Sequence, residues 1–179
     1  MGKTVKKRLS LVLGLNLLLN AHAPTYAQSL EEQTVLAALA LNIVRFTSWP
    51  AEAQIKTTID LCVIGDNVAQ ESFTSIDAKA VGDKTLHIIN LSRLRNFEQC
   101  RALYISGLQQ NILAQIFVEI KKRPLLTIGE GTDFATQGGM VGLENVDDKI
   151  NLEVNLSVVR ESKLTISSRL LKLAKVIGN

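Results

Sequence analysis

The chain has 179 residues, 46% hydrophobic and 4% aromatic, with 20 Lys plus Arg against 17 Asp plus Glu. That apolar content excludes a disordered chain, and the length suits one domain whose core is built mainly from Leu, Ile, Val and Ala. Four of the cations, Lys3, Lys6, Lys7 and Arg8, precede the first apolar run, and residues 28–179 carry 16 cations against 17 anions, which leaves no basic surplus for a nucleic-acid footprint.

Those four cations, the apolar run from Leu9 to Leu19 (broken by Ser10 and Asn16) and the small residues Thr25 and Ala27 on either side of Tyr26 have the three-part layout of a secretory signal peptide. The apolar run is too short to span a membrane as a mature helix. No cysteine follows for a lipid anchor, and Lys6 stands where N-myristoylation needs Ser or Thr. Cleavage is expected after Ala27, with residues 28–179 forming a single exported domain that is not membrane-embedded.

Ser29-Leu30-Glu31-Glu32 reads as a capping box opening a helix that continues to about Phe46, with Pro50 forbidding much continuation. Ile59 to Ile64 is a short apolar run, predicted as a strand buried on both faces and closed by Gly65-Asp66. A weak helix from Asn67 to about Ile76 precedes strands over Thr85–Ile89 and Ala102–Ser106. In the helix from Gln109 to Lys122, Ile112, Leu113, Ile116, Phe117 and Ile120 share one stripe, and Pro124 stops it. Leu125–Ile128 is the next buried strand. Met140–Leu143 and Ile150–Val154 then read as an antiparallel hairpin around a polar turn, Ile150, Leu152 and Val154 sharing a face. Asn155 can cap a short helix to about Glu161, and Ser167 or Ser168 a last helix with Leu170, Leu171, Ala174 and Ile177 inward. The alternation predicts an α/β fold: a three-layer sandwich with a mixed, largely parallel central sheet and a C-terminal hairpin.

Catalytic chemistry finds few residues to work with. His87 is the sole histidine after the leader and lies in a predicted strand, where a structural role is expected. No G-x-S-x-G elbow accompanies it, and one histidine with two distant cysteines is a poor zinc set. Gly129-Glu130-Gly131 follows a strand, but Phe134 occupies the third glycine position of a dinucleotide loop. No metal, cofactor or catalytic residue is assigned. Cys62 and Cys100 are not a C-x-x-C redox pair. In an exported protein two cysteines suggest one disulfide, the alternative being two buried free thiols. Gly138-Gly139 allows either a tight bend or a close ligand approach. Arg45, Phe46 and Trp49, which include the single tryptophan, read either as a core plug or as a partner-facing hot spot.

Taken in order, six segments resemble the YfiR family of periplasmic proteins. Leu41-Asn42-Ile43-Val44-Arg45-Phe46-Thr47-Ser48-Trp49-Pro50 is similar to its F-x-K-F-T-E-W-P signature, and Leu61-Cys62-Val63-Ile64-Gly65-Asp66 to its C-V-x-G-D strand. Cys100 precedes Leu103-Tyr104-Ile105-Ser106 as a cysteine precedes H-x-x-F-I-S. Leu126-Thr127-Ile128-Gly129 with Gly138-Gly139-Met140-Val141 resembles L-T-V-S with G-G-M-I. Ile150 to Asn155 and Leu164 to Ala174 resemble the closing F-E-I-N and I-S-S-K-L-L-x-L-A segments. The chain departs from the pattern at Ser48, where the family has an acid, at Asn67-Val68, which lacks the proline after G-D-D, and at Leu152, where it has phenylalanine.

The resemblance implies an α/β sandwich, often seen as a homodimer, with Cys62 and Cys100 matching a family disulfide. It implies a non-enzymatic repressor that binds the periplasmic sensor domain of an inner-membrane diguanylate cyclase and restrains cyclic-di-GMP synthesis and biofilm formation. Redox sensitivity would run through the disulfide. Arg45, Phe46, Trp49, Gly138 and Gly139 are the expected partner-binding residues. The alternative expectation is a periplasmic small-molecule-binding module that reports to another membrane receptor.

Overall fold

The computed structural model describes residues 25–51, 56–65, 70–147 and 149–178. The expected leader, apart from its last three residues, lies outside them. Helix α1 (Thr25–Arg45) begins four residues before Ser29, so the predicted capping box falls inside the helix, and the predicted cut after Ala27 falls in its first turn. It leads through β1 (Thr47–Ser48) to β2 (Thr58–Gly65), α2 (Gln70–Thr74), β3 (Ala80–Val81) and β4 (Lys84–Asn90). A 3-10 turn at Phe97–Gln99 precedes β5 (Ala102–Ser106), α3 (Gln110–Glu119), β6 (Leu126–Glu130), β7 (Val141–Val146) and β8 (Lys149–Asn155). The chain closes with α4 (Leu156–Glu161), β9 (Thr165–Ile166), α5 (Ser168–Leu171) and β10 (Ala174–Ile177).

Eight strands form one sheet in the order β10-β8-β7-β6-β5-β2-β4-β3. The pairs β10–β8, β7–β6, β6–β5, β5–β2 and β2–β4 are parallel. The β7–β8 hairpin and the β3–β4 pair are antiparallel. The expected mixed, largely parallel sheet with its C-terminal hairpin is thus present.

Alternation along the central strands divides the core in two. Leu61 and Val63 of β2, and Ala102 and Tyr104 of β5, pack with Leu36, Ala37, Ala40 and Ile43 of α1. Cys62 and Ile64, with Leu103 and Ile105, face the other way onto Leu113 and Ile116 of α3. A period-2 strand between two helical layers produces this division, and it is why β2 and β5 read as unbroken apolar runs.

The C-terminal reading is corrected. Asn155 caps α4, its side chain accepting from the Val158 amide, and Ser167 caps α5 by accepting from the Arg169 amide. But α5 is a single turn, and Ala174–Ile177 is a strand lying parallel to β8, in register from Ala174↔Leu152 to Ile177↔Asn155. Leu170, Leu171, Ala174 and Ile177 fit a helical stripe, yet the open edge of β8 offers unpaired backbone groups, and Val176-Ile177 is β-branched sequence suited to satisfying them. The hairpin therefore lies one strand in from the edge.

Candidate functional site

Three local structures gather the residues singled out by the sequence. The first is the covalent brace. β2 and β5 are neighbours, Cys62 lying opposite Leu103, and the turn at Phe97–Gln99 delivers Cys100 just ahead of β5. Cys62 and Cys100 are joined by a disulfide with Cα atoms 5.7 Å apart. Both are buried in the α3 layer, at 0% and 2% exposure.

The second structure is a cleft of about 200 Å³ at the N-terminal ends of β2, β4 and β5. Its walls include Arg45, Ser48, Trp49, Lys56, Lys84 and Arg101. The tryptophan is a core plug with one edge on the cleft. It is 9% exposed, and its indole N–H donates to the Arg101 carbonyl at 3.1 Å. Arg45 is exposed; its Nε donates to the Ala80 carbonyl at 3.0 Å and its Nη1 to Asn42 Oδ1 at 3.3 Å. Phe46 instead packs, half-buried, against the α1-side core. A short antiparallel ladder fixes this corner: Thr47 and Ser48 pair with Ile166 and Thr165, and the Ser167 amide donates to the Phe46 carbonyl at 2.8 Å. Two segments more than a hundred residues apart, both carrying the family resemblance, are thereby laid side by side. The cations Lys56, Lys84 and Arg101 were not singled out from sequence. They come from three separated segments that share no spacing signal, and only strand order brings them together.

The third structure is a groove of about 410 Å³ between α3 and α4, lined among others by Phe117, Val118, Gly138, Met140, Val158 and Glu161. The glycine pair is a packing device here. Phe134 lies across Gly129 and Gly139, where an added Cβ would come within 2.1 and 2.2 Å of its ring, and it meets Phe117 edge-on at 5.5 Å. Gly138 takes a positive φ of 116°, a backbone region that favours glycine. Gly138 and Trp49 line different cavities, so the structure does not unite the two expected contact regions in one pocket.

His87 is half-exposed with Nδ1 3.6 Å from Asp77 Oδ1, and that carboxylate accepts from the Ile88 amide at 2.9 Å. Asp60 is buried beside Lys56, 2.8 Å from its Nζ. The Tyr104 hydroxyl donates to Glu130 at 2.7 Å, and burial, reinforced by that carboxylate, pushes the phenol far above its ordinary range. Among the described residues no group of three or more His, Cys, Asp or Glu is placed to hold a metal ion, and no helix is long and apolar enough to cross a membrane.

The architecture is that of a disulfide-braced, three-layer α/β fold whose described surface includes a cationic cleft and an apolar groove. The chain belongs to the YfiR/HmsC-like family, whose model matches residues 33–175. The family is one of periplasmic regulators, which sets the class of protein to which the brace and the surfaces belong. No curated protein matches the chain. Among solved structures it is similar to an ABC domain in complex with L-Trp from Streptococcus pneumonia, at 11% identity with a TM-score of 0.56. That match covers 79% of this chain and 60% of the other, so the chain spans less than two thirds of the structure it resembles. At that identity the likeness concerns the fold alone.

Proposed function

We propose that this chain is exported through a leader cleaved after Ala27, and that residues 28–179 act as a single non-enzymatic domain. It binds the periplasmic sensor domain of a membrane diguanylate cyclase and holds the cyclase inactive. The observation that carries this reading is the family match over residues 33–175. The buried Cys62–Cys100 link agrees with a protein of an oxidising, extracytoplasmic compartment.

The physical requirement is differential binding: a repressor must bind the inactive cyclase more tightly than the active one. Shifting the cyclase from 99% active to 99% inactive needs roughly a 10⁴-fold preference. The contact surface is assigned to the α1 end, with exposed Arg45 backed by Phe46 and Trp49, and to the groove beside Gly138 and Gly139.

The test is deletion of the gene with measurement of cellular cyclic-di-GMP. A rise, reversed by restoring the gene, is the expected result. An unchanged level in a strain that makes the protein would sink the cyclase reading.

A further inference from the structure

The cleft beside Trp49 concentrates positive charge in a chain that has none to spare. Arg45, Lys56, Lys84 and Arg101 line it against one lining acid among the described residues, Asp83, whereas residues 28–179 as a whole carry 16 cations and 17 anions. Internal contacts offset part of this. Lys56 pairs with Asp60, and Lys84 Nζ donates to the Lys56 carbonyl. Arg101 carries an unmet demand: its Nε is buried and has no hydrogen-bond acceptor among the described residues. Partial desolvation of a guanidinium without a full set of acceptors is costly. The Nε itself is covered, but Arg101 lines the cleft and its charge is spread over the whole guanidinium, so a carboxylate arriving there is drawn to it, and arginine donors match carboxylate geometry. Low-dielectric walls such as Trp49, Ile59 and Val81 strengthen the field inside a concavity of one sign.

Size selects the kind of occupant. Small-molecule sites usually run from about 300 to 1,000 Å³, and this cleft is about 200 Å³. That is room for one or two side chains presented from another surface. We propose that the cleft seats an acidic side-chain segment of a protein partner, with its carboxylates drawn to Arg45 and Arg101 and its stem against the Trp49 edge. The proposal rests on the reading that the chain works by binding a cyclase's periplasmic domain, and it specifies the chemistry of that contact.

Trp49 is the chain's single tryptophan, so its emission reports directly on the cleft. The probe is fluorescein-labelled hexaglutamate, titrated into the purified oxidised protein, with hexaglutamine, inorganic phosphate and glutarate as comparisons. Hexaglutamate is expected to bind, to perturb Trp49 emission and to weaken with added salt. Arg45→Gln should lower its affinity about tenfold, Arg45→Lys less, and Lys172→Gln, an exposed cation outside the cleft, not at all. Arg45 is exposed, and matching melting curves for its two variants would exclude misfolding. Equal binding of hexaglutamate and hexaglutamine, or wild-type binding by Arg45→Gln, overturns the proposal. So does tighter binding of phosphate or glutarate than of hexaglutamate, which would make this a site for a free small anion. An Arg45→Gln protein that loses hexaglutamate yet represses the cyclase normally removes this proposal and leaves the cyclase reading standing. Unchanged cyclic-di-GMP on gene deletion removes both.

Discussion

The Tyr104 hydroxyl sits in the middle of the sheet, on a side chain with 0% exposure, and donates to Glu130 at 2.7 Å. Its ring lies 4.5 Å from that of Phe73, so Tyr104→Phe keeps the packing and removes one polar contact. At neutral pH the substitution should cost about 1 kcal/mol, because Glu130 loses its donor. The pH dependence follows from the raised phenol. The folded state keeps the proton where an unfolded tyrosine, with a pKa near 10, gives it up. The contribution from this group is therefore fully present below about pH 10. Above it the unfolded chain binds fewer protons than the folded one, and stability falls by up to about 1.4 kcal/mol per pH unit. Urea melts of wild type and Tyr104→Phe between pH 8 and 11 should show the gap closing as pH rises, since the variant lacks the titrating group. Parallel curves would show that the hydroxyl is not held as described. Nothing in the sequence separates Tyr104 from any other strand tyrosine, since the carboxylate that meets it lies 26 residues on and reaches it through strand pairing.

At the scale of elements, the strands with unbroken apolar runs and the α3 stripe were legible because burial on two faces, or on one stripe, leaves a local record in the chain. β2, β5 and β6 lie within a residue or two of their expected limits. β10 was not legible: a helical and an extended reading of Leu170–Ile177 both bury apolar residues, and the choice belongs to the vacant edge of β8, which is set by distant sequence. The glycines of β6 and the β7 approach show the same limit. Gly129-Glu130-Gly131 failed the dinucleotide-loop pattern at Phe134, and Gly138-Gly139 allowed a bend or a ligand contact. Phe134 is the common partner of Gly129 and Gly139, while Gly138 faces the Phe117 ring. Gly129→Ala should destabilise the domain by roughly 1–3 kcal/mol through overpacking, since its Cβ would meet the Phe134 ring at 2.1 Å. If that contact is the cause, Gly129→Ala in a Phe134→Ala background should cost far less than in wild type. A double-mutant cycle read by urea denaturation measures the coupling, and additive costs would place the defect elsewhere.

For the whole molecule, the placement of the disulfide constrains how it could report redox state. The link spans 38 residues, for which the chain-entropy model gives about 4 kcal/mol of stabilisation. It ties β2, an interior strand of the sheet, to the entry of β5, its neighbour. The cleft is built on the starts of β2, β4 and β5, so loosening this tie should disturb the cationic surface as well as the global stability. Yet both sulfurs lie beneath α3, and thiol–disulfide exchange requires a thiolate to reach a sulfur. Reduction must then await an opening of the α3 layer, so the domain cannot toggle rapidly with the surrounding thiol poise while folded. Two outcomes are expected together. Dithiothreitol should reduce the native protein slowly, at a rate that rises steeply with sub-denaturing urea, as followed by mass-tagging of free thiols. Cys62→Ala with Cys100→Ala should lower the melting temperature by about 10 °C and, on the proposed function, weaken association with the cyclase domain. Rapid, urea-independent reduction would show that the sulfurs are reachable in the folded state. A double variant that repressed as well as wild type would separate the brace from function and leave it a device of stability alone.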